Sequence, residues 1–249
     1  MKRRAFLEKI GGEWLDDFVY ISKQPLLERE FEVIEFDGDD MENTLLNRFL
    51  NIETDILIGS VQATVEFFKG CGVQVPKYLG YPDELSEFYG RKITESRGKY
   101  LREMGKPFFL KPSMDVKLFT GEVISSNFQL DFLTEHYGLN DNTEVYISPV
   151  IQIISEYRCF IRDGMSRGIQ YYSGDFTEFP DPMKISKMIH EYKNSPCAYT
   201  LDVGVTDDGD TILIEVNDMW AIGSYGHNSS EYVLACIRRM IEIGKNSKI

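Results

Sequence analysis

The sequence predicts a mixed fold in two parts: a small α/β unit over residues 1–80, then an antiparallel α+β region over residues 81–249. Three observations carry it. Residues 55–60 (DILIGS) form a compact apolar run that ends in a serine able to cap a helix. Beyond residue 107 the pattern turns to short apolar strands, two of them flanking the hairpin turn Asp163-Gly164. A second strand pair flanks Asp207-Asp208-Gly209-Asp210. A chain of 249 residues can bury such cores without a disulfide or metal staple.

Taken in order, residues 17–22 (DFVYIS) and 31–37 (FEVIEFD) read as strands. After residues 55–60, Ser60 opens a helix with Val61, Val65 and Phe68 on its apolar face, stopped by Gly70 and Gly72. Residues 73–79 read as extended around Pro76. Strand, helix, strand implies parallel pairing. Residues 81–106 read as mostly helical and are basic: Arg91, Lys92, Arg97, Lys99, Arg102 and Lys106 face only two acidic neighbours. They form either a solvated face or a wall of positive potential toward an anionic substrate. Strands are expected at 108–111, 121–124, 144–148, 157–162, 168–173, 198–205 and 211–216. One helix carries Ile185, Met188, Ile189 and Tyr192; a last one opens at Ser229 or Ser230 and ends at Gly244-Lys245.

The formal charge of −13 argues against general nucleic-acid binding, which needs clustered positive charge to displace counterions. No apolar run is long enough to suggest a membrane span. The basic start Lys2-Arg3-Arg4 runs too soon into Glu8, Glu13, Asp16 and Asp17 for a signal peptide. Cys71, Cys159, Cys197 and Cys236 are far apart and form no zinc spacing, so reduced thiols in a cytoplasm are expected.

The chemistry-bearing residues cluster late in the chain. Glu215 and Asn217 alternate onto one strand face, and a turn at Asp208-Gly209 brings Asp202 close to them. Three hard oxygen ligands suit Mg²⁺ held with nucleotide phosphates; the plain alternative is polar strand ends facing solvent. Lys111 ends the apolar strand FFLK and wants an anion, unless it snorkels to the surface. Ser113, Asp115, Lys117 and Thr120 follow it in a loop suited to polyphosphate. Glu156, Arg158 and Phe160 share a face, so Arg158 either pairs across strands or meets a transferring phosphoryl group.

In this order, FFLKP, EVYIS, EYRCFI and LDVGVTDDGDTILIEVN resemble the ATP-grasp superfamily over about residues 105–227. The stretch Lys111-Pro112 to Lys117-Leu118-Phe119-Thr120-Gly121 resembles the clade named for one arginine and two lysines, found often in phages and bacteria. The resemblance implies the ATP-grasp fold, two α+β subdomains gripping a nucleotide, with the smaller α/β domain before it. It implies that Lys111 contacts ATP phosphates near the adenine pocket and that Lys117 lies on the phosphate-covering loop. Adenine would meet the backbone around Val145, Tyr146, Ile147 and Ser148. Arg158 would contact the terminal phosphate and the acyl phosphate, with Lys117 assisting catalysis. Asp202, Glu215 and Asn217 would hold Mg²⁺.

The implied activity is a carboxylate–amine ligase that uses ATP and releases ADP and phosphate. Its partners are then a carboxylate and an amine, a peptide or protein being one candidate, and a homodimer is in keeping with relatives. A small-molecule kinase and a non-catalytic nucleotide-binding module are the alternatives. The loop at 113–120 lacks the glycines many such loops carry, and residues 218–226 replace a small-residue and proline stretch. There Trp220 and Tyr225 either line an acceptor pocket or pack as core, and His227 reads as structural or solvated. No Lys-x-Asp-Gly or early Gly-x-Gly-x-x-Gly points to a nucleotidyl-lysine ligase or a dehydrogenase.

Overall fold

Three four-stranded sheets and five α-helices organise the chain in a computed structural model that describes residues 2–113 and 118–247. Lys117 and Asp115 lie outside the described residues. In the first sheet β1 (Arg4–Ile10) is central. It pairs in parallel with β3 (Glu32–Asp37) on one edge and with β4 (Asp55–Ile58) on the other, where β2 (Glu13–Trp14) continues antiparallel. Ala5, Phe6 and Leu7 are consecutive and all buried, as in a strand covered on both faces. α2 (Val61–Gly70) follows β4, and the Ser60 hydroxyl accepts the Ala63 N–H at 3.1 Å. The buried Glu8 carboxylate accepts the Ser60 N–H and fits because Gly38 and Gly59 lack a Cβ, which would come within 2.4 Å of it.

Three expectations fail here. Residues 73–79 form no strand after α2, and the parallel partner of β4 is β1 instead. Residues 17–22 are no strand but the start of α1 (Asp17–Glu28), which buries Phe18, Val19, Ser22, Pro25 and Leu26 at helical spacing. The six-residue window showed only β-rich composition, and Pro25, which argues against a helix, sits inside it. Residues 81–106 are not a helix either. They hold short 3-10 turns at Asp83–Phe88 and Gly98–Glu103, with β5 (Thr94–Arg97) between them. Pro82, Gly90 and Gly98 leave no uninterrupted stretch long enough for a stable α-helix.

The third sheet has the order β5-β8-β6-β7, using β6 (Phe108–Pro112), β7 (Glu122–Ile124) and β8 (Glu144–Ser148), and it packs α3 (Asn127–Tyr137). The second sheet has the order β10-β9-β11-β12, from β9 (Ile153–Arg162), β10 (Met165–Gly174), β11 (Ala198–Thr206) and β12 (Thr211–Asp218). Tyr157, Cys159, Ile161, Leu201 and Val203 of this sheet pack with Ile185 and Met188 of α4 (Pro182–Glu191). Its other face carries Arg158, Phe160, Thr200 and Asp202.

α5 (Ser229–Asn246) closes the first core rather than the second. Its Tyr232, Val233, Cys236, Met240 and Ile243 join Phe6, Phe18, Leu57 and Phe67, together with Phe160 and Ala198 from the second sheet. The N-terminal unit thus shares one hydrophobic core with the chain's last helix. Met240 is fully buried there, so Met240→Ala should cost about 2–5 kcal/mol in urea unfolding. A loss near zero would mean that α5 does not share this core.

Candidate functional site

Register on the second sheet sets the site. Arg158 lies directly opposite Asp202, and Asp202 directly opposite Glu215, so the three side chains form one row across β9, β11 and β12. Thr200 faces Asn217 one step along. Arg158 grips Asp202 with two hydrogen bonds, Nε to Oδ1 at 2.8 Å and an Nη to Oδ2 at 2.7 Å. A third donor reaches the Gly223 carbonyl at 3.2 Å, and the Asn217 amide donates to Asp202 Oδ2 at 3.1 Å. Burial pulls the Arg158 guanidinium down, but the hydrogen bonds and charge of Asp202 outweigh it and leave it raised. Arg158 therefore pairs with Asp202 and not with its strand neighbour Glu156. The ring of Tyr225 covers the guanidinium at 4.6 Å and stacks on Tyr172 at 4.9 Å.

The opposite wall comes from the third sheet. Along β6, Phe108, Leu110 and Pro112 turn to the core, which aims Lys111 the other way. Lys111 forms an ion pair with Glu215 Oε2, so the pair bridges the two sheets. Tyr78 donates to the same oxygen at 2.9 Å. The ammonium stands 5.5 Å from the Tyr78 ring and 5.8 Å from the Tyr81 ring, and Tyr81 meets Tyr146 edge-on at 4.9 Å. A cavity of about 320 Å³ opens here. Lys111, Arg158, Glu215 and Asn217 line it together with the apolar Val61 and Trp220.

β8 places the other proposed nucleotide contacts. Tyr146 lies opposite Lys111 in the pairing with β6, on the cavity side of the sheet. Val145, Tyr146 and Ile147 pair with β6 on one edge and β5 on the other, so their backbone groups already serve the ladder. Ser148 pairs with Phe109 of β6 and has no partner in β5. Of the adenine contacts expected at 145–148, only Ser148 thus keeps a backbone edge clear of a neighbouring strand.

The basic segment builds no wall around this cavity. Arg91 is half-buried and donates to the carbonyls of Tyr89 and Leu213, tying the segment to β12. Arg97 pairs with Glu144 and Arg102 with Asp131. None of the six basic residues lines the cavity. Trp220 does line it and also packs on Phe68 at 5.5 Å, while Tyr225 lines it over Arg158. His227 is buried and stacks flat on Phe160 at 4.2 Å, a structural role. Tyr78 and Asp218 also line the cavity and carried no motif; Asp218 is held by Arg239 through two hydrogen bonds.

Asp202, Glu215 and Asn217 share the sheet face and offer two carboxylates and an amide oxygen. Among the described residues no group of three or more His, Cys, Asp and Glu could hold a metal ion. Two carboxylates completed by phosphate oxygens are a donor set that Mg²⁺ accepts, since it takes one or two carboxylates plus substrate phosphates. The residues present therefore fit such an ion.

The family model for the ATP-grasp domain, R2K clade family 2, matches residues 88–235. No curated protein matches the chain in sequence. Among solved structures, D-alanine–D-alanine ligase from Bacillus anthracis is similar at 16% identity and a TM-score of 0.53, with 98% of this chain and 99% of that chain covered. A RimK domain ATP-grasp protein from Sphaerobacter thermophilus is similar at 14% identity and a TM-score of 0.57, with 96% and 97% covered. D-cycloserine synthetase DcsG is similar at 11% identity and a TM-score of 0.61, with 95% and 99% covered. These likenesses establish the fold, α+β over the whole chain.

Two measurements test the site as built. Asp202→Ala leaves a buried guanidinium without its carboxylate and should cost about 3–5 kcal/mol in urea unfolding, whereas a solvated pair would cost under about 1 kcal/mol. Burial holds the His227 imidazole below its ordinary 6.5. Its contribution to stability is intact above that value and is lost as pH falls through the lowered folded value, because the unfolded chain takes the proton first. His227→Phe should flatten the decline in stability that sets in as pH falls below about 6.5; an unchanged pH profile would refute the assignment.

Proposed function

We propose the function of this chain from one premise: it belongs to the ATP-grasp superfamily, in the R2K clade. We infer an ATP- and Mg²⁺-dependent carboxylate–amine ligase. A substrate carboxylate oxygen attacks the terminal phosphorus of ATP, ADP leaves, and an acyl phosphate forms. An amine then attacks the acyl carbon, phosphate leaves with the bonding pair, and the amine's proton is released, giving an amide. The observation that supports this most is the meeting of Lys111, Arg158, Glu215 and Asn217 at one cavity, from two different sheets, with Asp202 buried behind them against Arg158.

Nucleotide phosphate would compete with Glu215 for Lys111, leaving the Glu215 carboxylate able to hold Mg²⁺ with Asp202 and Asn217. Mg²⁺ when bound supplies charge neutralisation between phosphate oxygens. Arg158, pre-oriented by Asp202, presents its remaining N–H groups to the transferring phosphoryl, where positive charge lowers the barrier. Lys117, matching the clade's second lysine, would add a further cation. Adenine sits against Tyr146 and takes its backbone hydrogen bonds from Ser148 onward. A cavity of about 320 Å³ admits a residue-sized group beside the phosphates, so a peptide or protein substrate enters by a chain end or one side chain.

Thermal stability checks the nucleotide site without knowledge of the acceptor. At ~100 times its dissociation constant, ATP with Mg²⁺ should stabilise the native state by about 2.7 kcal/mol. The shift should shrink with chelator and disappear in Lys111→Ala. Acceptors are then screened by release of ADP and phosphate, with Glu215→Ala as the inactive control. Wild-type turnover in Glu215→Ala would overturn the metal assignment. Phosphate found on the acceptor rather than in solution would make the protein a kinase.

A further inference from the structure

We infer that Tyr78 is a positioning residue for Glu215: its hydroxyl holds the carboxylate in place when Lys111 is drawn away to phosphate. This rests on Glu215 being a metal ligand, as proposed above. Lys111 and Tyr78 meet the same oxygen, Glu215 Oε2. Without nucleotide the ammonium neutralises that carboxylate directly. A bound polyphosphate competes for the ammonium, and the carboxylate then loses its cation while keeping the Tyr78 hydrogen bond. A carboxylate ligand fixed by a hydrogen bond from outside the coordination shell has less orientational freedom to lose when it takes a metal.

The backbone explains why Tyr78 can do this. The Val216 N–H donates to the Gly80 carbonyl at 2.9 Å, which pins residues 78–80 beside the strand that carries Glu215. Gly80 has φ +50°, and a Cβ there would come within 2.6 Å of the Tyr78 ring. The glycine therefore permits both the backbone turn and the folding of the ring over it. The ring is held from several sides and does not depend on the hydroxyl. It packs on Gly80 below, and the Lys111 ammonium stands 5.5 Å from it. Replacing Tyr78 by phenylalanine thus removes the hydroxyl and keeps the packing.

The test uses the full chain with ADP and Mn²⁺ in place of Mg²⁺, bound metal being read by electron paramagnetic resonance. Wild type, Tyr78→Phe, Glu215→Gln and the double variant are compared, and ADP binding is measured separately in chelator. Tyr78→Phe should weaken Mn²⁺ binding to the ADP complex by about tenfold or more. It should leave ADP binding in chelator unchanged and add nothing in the Glu215→Gln background. Wild-type Mn²⁺ affinity in Tyr78→Phe, an equal loss with and without metal, or an additive loss in the double variant would overturn the proposal while leaving the metal site standing. Unchanged Mn²⁺ binding in Glu215→Gln, or none in wild type, would overturn the metal site itself and the role of Tyr78 with it.

Discussion

The pairing of Arg158 with Asp202 sits at less than a tenth exposure on both side chains, where an unpaired charge would cost several kcal/mol. The surroundings follow from that constraint. Both carboxylate oxygens are occupied, one by Arg158 alone and one shared with the Asn217 amide. A third guanidinium N–H takes the Gly223 carbonyl, which fixes the loop after β12 beside the site, and the Tyr225 ring lies over the guanidinium. Tyr225 adopts φ +46°, an uncommon conformation for a bulky residue. The charge on the sheet is thus held in place by partners from three strands and a loop.

Across the cavity the arrangement is looser. Lys111 and Glu215 keep 12% and 17% side-chain exposure, and their partners come from different sheets. This pair is the more exposed of the two, although Arg158 also lines the cavity. One ion pair is built to persist and the other to be exchanged, so the cavity keeps one fixed cation and one that can change partner. An acidic chain of net charge −13 can in this way present cations to an anionic nucleotide, with Lys111 and Arg158 at the cavity each set against one carboxylate.

Much of this was legible in the sequence where the signal was local. The strand at residues 144–148 and the hairpins about Asp163-Gly164 and Asp208-Gly209 emerged as read, since alternation and turn residues report strands directly. Alternation also put Glu215 and Asn217 on one face, and the turn placed Asp202 opposite Glu215. The failures share a cause: they depended on contacts distant in sequence. α1 owes its helix to burial against α5 and the first sheet, which overrides a β-rich hexapeptide and an internal proline. β1, with Lys and Arg at its start, showed no strand pattern because it is buried on both faces. Tyr78 carried no motif because its role is set by the Gly80–Val216 backbone bridge. The cross-strand ion pair that the sequence offered for Arg158 is found, and register names its partner as Asp202.

The place of α5 in the first core bears on how the molecule is made. Phe18, Val19 and Leu26 of α1 lie in a core that residues 232–243 complete, with Phe18 and Tyr232 ring to ring at 6.2 Å. During synthesis the first sheet therefore emerges with an apolar flank that has no cover until some 150 further residues have been translated. The first sheet and α5 meet across most of the intervening sequence, a long-range contact of the kind whose loop closure must be met before its burial is gained.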